Sequence, residues 1–314
     1  MKIFNSLEEI ERSNIESTAV SVGNFDGVHR GHREIIENTV KTAGIAGHKS
    51  AVFTFAQHPK NVMAGENVIK KIVTTEDKFR LIEDMGVDYL FNIPFTEEIQ
   101  KTSAYDFIGD ILIGKFHMKE LCCGFNYRFG YMGAGDLELL LEAAVKCEFG
   151  LHIIPPYRVD GEVVSSTLIR QCIAEGNIEK CNKLLGRRYS IGGTVVVGNK
   201  LGRTIGFPTS NLTLDPAMVT PSNGVYATYC IYNKKIYPSI TNVGVKPTIG
   251  EYNKNVETHI FNFDKELYGK QIRVEFIKKT RDEQKFDSVE ELAAQITRDC
   301  IQVRAFHRQN SEVK

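Results

Sequence analysis

A chain of 314 residues is long for one ordinary core and comfortable for two domains, and a 42% hydrophobic content can fill both. Lysine plus arginine balance aspartate plus glutamate at 39 each, which argues against the broad basic face that a nucleic-acid partner needs. No apolar run approaches the roughly 20 residues of a membrane span. The N-terminal MKIFNSLEEIERSN is too charged for a secretion signal, and an odd seven cysteines without a CxxC pair read as reduced thiols. The expectation is a cytoplasmic protein with no membrane and no nucleic-acid partner; its oligomeric state is left open.

The first half alternates strand-like and helix-like runs. The strands are Ala19–Val22, Ser50–Phe55, Tyr89–Ile93, Leu121–Phe125 and Leu151–Ile154. Between them lie a helix after Gly31, then TTEDKFRLIEDMG with Thr75 as cap and Gly86 as stop, then SAYDFIGDILIGKF, then GDLELLLEAAVKCEFG. This order predicts a Rossmann-like parallel sheet with helices on both faces, whose ligands bind at the carboxyl ends of the strands. Two short helices follow, SSTLIRQCIAEG and NIEKCNKLLG, and the domain boundary is expected at 186/187. Beyond it the chain turns to short alternating runs, IGGTVVVG, GVYATYCIY, NVETHIFNF and IRVEFIKK. Turn signals separate them at Asn199-Lys200, Asp215-Pro216, Ser222-Asn223-Gly224 and Lys246-Pro247. That pattern predicts a small antiparallel β-barrel, closed off by a C-terminal helix over about Ser288–Phe306 with Ser288 as its cap.

The chemistry begins at AVSVGNFDGVHRGH, where a strand runs through a glycine turn into a helix start. His29 and His32 leave one turn of that helix together. Unpaired amides and a partial positive charge at the helix start make, with them, a place for the phosphates of ATP. Asp26 either meets a partner or locks the turn onto its own backbone. Two later segments join it: CGFNYRFGYMGAGD after a strand, and SSTLIR, in which Arg170 lies one helical turn from Thr167. In the second half, PTSN places Thr209 and Asn211 on one side of an extended chain. Their neutral oxygens suit a magnesium ion shared with ATP phosphates. Glu257 in VETHIF is a candidate base for phosphoryl transfer to an alcohol; by pattern alone a strand glutamate reads as a solvated charge.

In this order and at these separations, the first three motifs resemble the FAD synthetase module of bacterial bifunctional riboflavin kinase/FAD synthetases. Gly192–Asn211, GVYAT, NVGVKPTIG, VETHIF and LYGKQIRVEF resemble the riboflavin kinase barrel of the same family. The resemblance implies a bifunctional enzyme that phosphorylates riboflavin to FMN with ATP and then transfers AMP from a second ATP to FMN, giving FAD and pyrophosphate, with Mg2+ in both steps. It implies His29 and His32 as catalytic and Gly23, Asn24, Phe25, Asp26, Gly31, Asn126, Arg128, Ser166, Thr167 and Arg170 as ATP-binding in residues 1–186. In residues 187–314 it implies Glu257 as base, Gly192, Gly198, Lys200, Gly202 and Thr209 toward ATP, Thr209 and Asn211 toward the metal, and Asn242, Thr248 and Arg281 toward the flavin. For Arg281 a solvated charge is the equal alternative. The chain departs from the family where Phe53–Pro59 reads FTFAQHP in place of TFDPHP, and where Asn126 and Ser210 stand for aspartate and alanine. A weakened adenylyltransferase, a nucleotidyltransferase for another phosphorylated alcohol and a flavin sensor without turnover stay open as alternatives.

Overall fold

The computed structural model describes residues 1–198, 202, 206–248 and 251–311, with side chains excepted at 246–248, 251–253 and 311. It divides into two compact units, Met1–Ser166 and Thr167–Lys314.

The first unit is built on six strands: β1 (Lys2–Phe4), β2 (Thr18–Val22), β3 (Lys49–Phe55), β4 (Tyr89–Ile93), β5 (Met118–Gly124) and β6 (Gly150–Ile154). They pair in the order β1-β4-β3-β2-β5-β6, every pair parallel. Side chains alternate between faces along each strand. Val20, Ala51, Phe53, Phe91, Leu121 and Cys123 join one apolar cluster, while Val52 and Leu90 join another. Helices α1 (Leu7–Glu11), α2 (Arg30–Ala46), α3 (Pro59–Ala64), α4 (Thr75–Glu83), α5 (Glu97–Lys101), α6 (Ala104–Asp106) and α7 (Leu137–Cys147) fill the connections. Ile36 of α2 and Ile82 of α4 pack on the second face; Ile10 of α1 and Leu140 of α7 pack on the first. Because the chain builds outward from β2 through β3 to β4 and then returns to the other side of β2 as β5, the topological switch point lies between β2 and β5.

Three local details differ from the sequence reading. The cap of α4 is Thr74, whose Oγ1 accepts from the Asp77 amide at 3.1 Å, since Thr75 already has helical geometry. The SAYDFIGDILIGKF helix winds as a wider π-helix over Phe107–Lys115. The three-residue strand β1 gave no periodic signal.

In the second unit, α8 (Ser166–Glu175, its first residue in the first unit) and α9 (Ile178–Leu185) precede a closed antiparallel barrel. The compact units therefore divide ahead of these helices, which the sequence reading grouped with the sheet. A hairpin, β7 (Arg158–Val159) and β8 (Glu162–Val163), lies just before them. The barrel strands are β9 (Tyr189–Val196), β10 (Ser210–Leu212), β11 (Gly224–Tyr232), β12 (Lys235–Thr248), β13 (Glu251–Ile260) and β14 (Gln271–Arg281), in the order β10-β13-β12-β11-β14-β9. Lys246-Pro247, expected as a turn, lies inside β12, its backbone opposite Asn253 and Tyr252. The interior is packed with Tyr226, Val243, Val256 and Phe276 and a chain of buried hydroxyls: Thr228 to Ser239 at 2.8 Å, Thr228 to Thr241 at 2.8 Å and Thr241 to Thr258 at 2.9 Å. Helix α10 (Val289–Ser311), capped by Ser288 as expected, lays Cys300 and Val303 against Val225, Ala227 and Ile240 on the outer wall.

Candidate active sites

At the switch point, the turn after β2 and the turn after β5 leave adjacent strands, Ser21 standing opposite Cys122. The first turn is strained. Phe25 has φ 47°, Gly27 87° and Val28 39°, a left-handed geometry that a β-branched residue adopts only when its surroundings force it. Burial of Phe25 and Val28 in the α2–α4 core supplies that force. Gly27 carries the left-handed turn without the Cβ that would sit 3.1 Å from Ile72.

The turn delivers His29 as the cap of α2. Its Nδ1 accepts from the His32 amide at 3.1 Å, so the neutral imidazole carries its proton on Nε2 and presents a donor there. The His29 and His32 rings stack at 3.5 Å and 17°, with Phe25 edge-on to His32 at 5.3 Å. Gly31 sits against the His29 ring, where a Cβ would make an ordinary contact at 3.4 Å.

The Asp26 carboxylate accepts the Ile72 amide at 3.0 and 3.2 Å, which ties the turn to the segment ahead of α4. The Asp26 carbonyl accepts from Ser166 Oγ at 2.9 Å, which ties the last residue of the first unit to the turn. The Asn24 carbonyl accepts from Thr54 Oγ1 at 3.0 Å. After β5, Asn126 and Arg128 are exposed, and Arg128 donates to Asp136 at 3.1 Å, the same aspartate that caps α7. Thr167 and Arg170 lie one turn apart on α8, within the second compact unit. Sequence reasoning missed Lys78, a lysine only 9% exposed whose Nζ donates to Thr54 Oγ1 at 3.1 Å.

The barrel gathers its polar residues by register. Asn211 stands opposite Glu257, Glu257 opposite Asn242, Asn242 opposite Val225 and Val225 opposite Arg281, one row across five neighbouring strands. Directly opposed residues face the same side of a sheet, and here that side is the outer wall under α10. A cavity of about 620 Å³ opens there, walled by Gly202, Thr209, Asn242, Glu257, His259 and Arg281 among others. Phe286, Leu292 and Ile296 give it an apolar side. A mixed pocket of this volume is the size of a small-molecule site.

Asn211 is buried behind that wall at 4% exposure. Its Oδ1 accepts from Asn255 Nδ2 at 3.1 Å, and the same amide reaches Glu257 Oε1 at 2.5 Å. Gly198 packs on the Asn211 amide, where a Cβ would fall 2.7 Å from Cγ. The Phe207 amide donates to the Gly202 carbonyl at 2.7 Å, and PTSN is anchored where the Pro208 carbonyl meets His259 Nδ1 at 2.8 Å. Burial, helped by nearby Arg304, pulls the His259 pKa below its usual value against that hydrogen bond. Gly192 lies within β9, opposite Arg273. Arg281 is no solvated charge. It ends β14 at 19% side-chain exposure, and its Nε and Nη2 grip Asp299 of α10 at 2.7 to 3.1 Å. Lys200 lies outside the described residues, as does the side chain of Thr248.

The donor set fits magnesium. Thr209 lines the cavity wall with a hydroxyl side chain, and Asn211 brings a neutral amide oxygen, Oδ1, which accepts from Asn255 Nδ2; both are the hard oxygen donors that magnesium takes. Among the described residues no cluster of histidine, cysteine and acidic side chains makes a self-sufficient metal cage, so the charge would come from ATP. Nor is any described helix long and apolar enough to cross a membrane.

Comparison with known proteins covers both units. The family model described as FAD synthetase matches residues 11–168, and that described as Riboflavin kinase matches residues 185–307. The bifunctional riboflavin kinase/FMN adenylyltransferase of Escherichia coli (strain K12) is 34% identical over 98% of both chains. The protein of the same name from Buchnera aphidicola subsp. Schizaphis graminum is 36% identical over 98% of this chain and 99% of its own. A crystal structure from Streptococcus pneumoniae, described as a macrolide-efflux protein, superposes with a TM-score of 0.86 at 31% identity, covering 96% of this chain and 98% of that one. Two matched domains and relatives aligned from end to end place this chain in the bifunctional riboflavin kinase/FMN adenylyltransferase family.

Proposed function

We propose that the chain divides two reactions between its halves, residues 187–314 making FMN and residues 1–186 converting it to FAD. Family membership makes the chain an enzyme of both kinds, a riboflavin kinase and an FMN adenylyltransferase. The roles of individual residues are our reading. In the barrel, the observation that carries it is the register row that sets Glu257 between Asn211 and Asn242 at the cavity wall.

Riboflavin lies with its ring along the apolar side under α10 and its ribityl hydroxyl at Glu257. As the new P–O bond forms to the γ-phosphorus of ATP, the Glu257 carboxylate takes the hydroxyl proton and ADP leaves. Thr209 and Asn211 would hold Mg2+ against the ATP phosphates, where it neutralises charge on the transferring group. Asn255 fixes both Asn211 and Glu257 through one amide. Gly198 and Gly202 let the nucleotide approach the backbone.

In the sheet half, His29 and His32 receive the phosphates of the second ATP at the α2 start. The FMN phosphate oxygen attacks the α-phosphorus, and pyrophosphate departs toward donors already in place. Gly23, Asn24, Phe25, Asp26, Gly31 and Ser166 shape that turn, and Asn126 and Arg128 serve the same nucleotide; Thr167 and Arg170 are assigned to ATP by the family resemblance alone. We place the enzyme in the cytoplasm, where both substrates and reduced thiols are found.

Purified protein with riboflavin, ATP and Mg2+ yields FMN and then FAD by chromatography. FMN without FAD would refute an active sheet half, and bound flavin without product would refute catalysis.

A further inference from the structure

Lys78 is a buried ammonium in a place that packing alone does not call for. It lies on α4 among Phe79, Leu81 and Ile82, residues of the second core. Its stem reaches the carboxyl end of β3, where Nζ donates to Thr54 Oγ1 at 3.1 Å and approaches the Phe55 carbonyl at 3.5 Å. Thr54 passes the contact on, its hydroxyl donating to the Asn24 carbonyl at 3.0 Å. A cavity of about 40 Å³ separates the ammonium from the turn, bordered by Asn24, Asp26, His58, Lys71 and Thr74. Asp26 is the one carboxylate at that cavity and acts as the counter-charge; Lys71 opposes it, and His58 is the other titratable group. A buried cation is costly unless paired and hydrogen-bonded, so the chain retains this one against a steady destabilising pull.

We propose that Lys78 is a positioning residue for adenylyl transfer: its charge holds the Asn24–Asp26 turn against β3 through Thr54 and Asp26, and so fixes the approach of the ATP phosphates to α2. The inference rests on the reading that this turn serves ATP. Lys78 does not touch the phosphates; it sets the carbonyl of Asn24 and the carboxylate of Asp26, on either side of Phe25 with its φ of 47°. Loss of the charge frees that strained turn to relax.

Burial lowers the Lys78 pKa to about 8, Asp26 opposing the shift and Lys71 adding to it. Adenylyl transfer therefore has an alkaline limb at about pH 8 that phosphorylation of riboflavin lacks. The test uses the full chain with Lys78→Met, which keeps length and removes charge. The expected result near pH 7 is a loss of about tenfold or more in kcat/KM for FMN to FAD, with riboflavin to FMN within about twofold, and disappearance of the alkaline limb. A 15N titration of lysine side-chain amines reads the same group without turnover. One ammonium titrates near 8 in the native chain, vanishes in Lys78→Met, and moves lower in Asp26→Asn. Unchanged FAD synthesis in Lys78→Met, or a limb that survives the substitution, overturns the proposal. If that variant fails to fold, Thr54→Val, which removes the acceptor of Lys78 Nζ, takes its place, and unchanged FAD synthesis in it overturns the proposal. A His29→Ala/His32→Ala double variant that still makes FAD would refute the site reading; its inactivity alongside a normal Lys78→Met would refute this inference alone.

Discussion

Replacing Asp299 with alanine should unfasten the C-terminal helix from the barrel. Asp299 is 5% exposed at its side chain and Arg281 19%, so neither charge has much water to fall back on. The native geometry is two-pronged: Arg281 Nε lies 3.1 and 3.0 Å from the two carboxylate oxygens and Nη2 lies 2.7 Å from one of them. Gln295 donates to the same carboxylate at 2.8 Å. Without Asp299 the guanidinium is left with the Asp282 carbonyl, at 2.9 Å from Nη1. Breaking such a pair by removing one member costs about 3–5 kcal/mol. For a domain of this size that lowers the melting temperature by about 6–20 °C. Scanning calorimetry on the full chain reads it as a shift of the barrel transition, and FMN formation should fall with it because Arg281 and Asp299 both border the cavity proposed for the flavin. The companion Arg281→Met/Asp299→Leu removes both charges and should recover most of the loss. A shift under about 2 °C for Asp299→Ala, or a double variant no better than the single one, would refute the reasoning.

Glu257→Gln should slow FMN formation by about 10²–10⁴ and leave FMN to FAD unchanged; loss of both in a folded protein would refute the division of labour. Asn211→Ala should raise the Mg2+ concentration for half-maximal FMN formation, and an unchanged requirement would remove it from the metal site. Two histidines govern the acid stability of the barrel. His259 and His307 both have pKa values lowered by burial from 6.5, so the folded state resists protons that the unfolded state takes up. Stability should be full above about pH 6.5 and fall as pH drops below it. Calorimetry between about pH 7.5 and 5.5 measures this; a His259→Gln/His307→Gln variant with the same slope would refute it.

The two-domain order and most elements were legible because their signals are local: strand, glycine turn and helix start follow one another in GNFDGVHRGH. What escaped has long-range causes. Strand β12 carries Pro238 and Pro247, which in sequence argue against a central strand, yet the closed barrel accommodates both. Strands β1 and β10 have three residues each and exist only through their neighbours. Lys78 reads as a solvated helix charge until the fold places Asp26 and Thr54 beside it. Arg281 gave no hint of Asp299, which lies 18 positions on and one helix away. For Glu257 the alternation of β13 was visible, but nothing local told which face is covered, since in this barrel the cavity beside Glu257 lies on the outer wall.

The row that runs Asn211, Glu257, Asn242, Val225, Arg281 makes that outer wall a property of pairing and not of any one strand. Length changes in β12 or β13 should therefore obey a parity rule. Deleting one residue between the hairpin and the row would turn Glu257 inward, where Val256 and Thr258 now pack, and carry a carboxylate into a sealed interior. Deleting two would restore its facing and move it one pleat along the wall. Evolution of this site is thereby steered: side chains in the row can be exchanged singly, while the spacing that aims them is open to change only in steps of two.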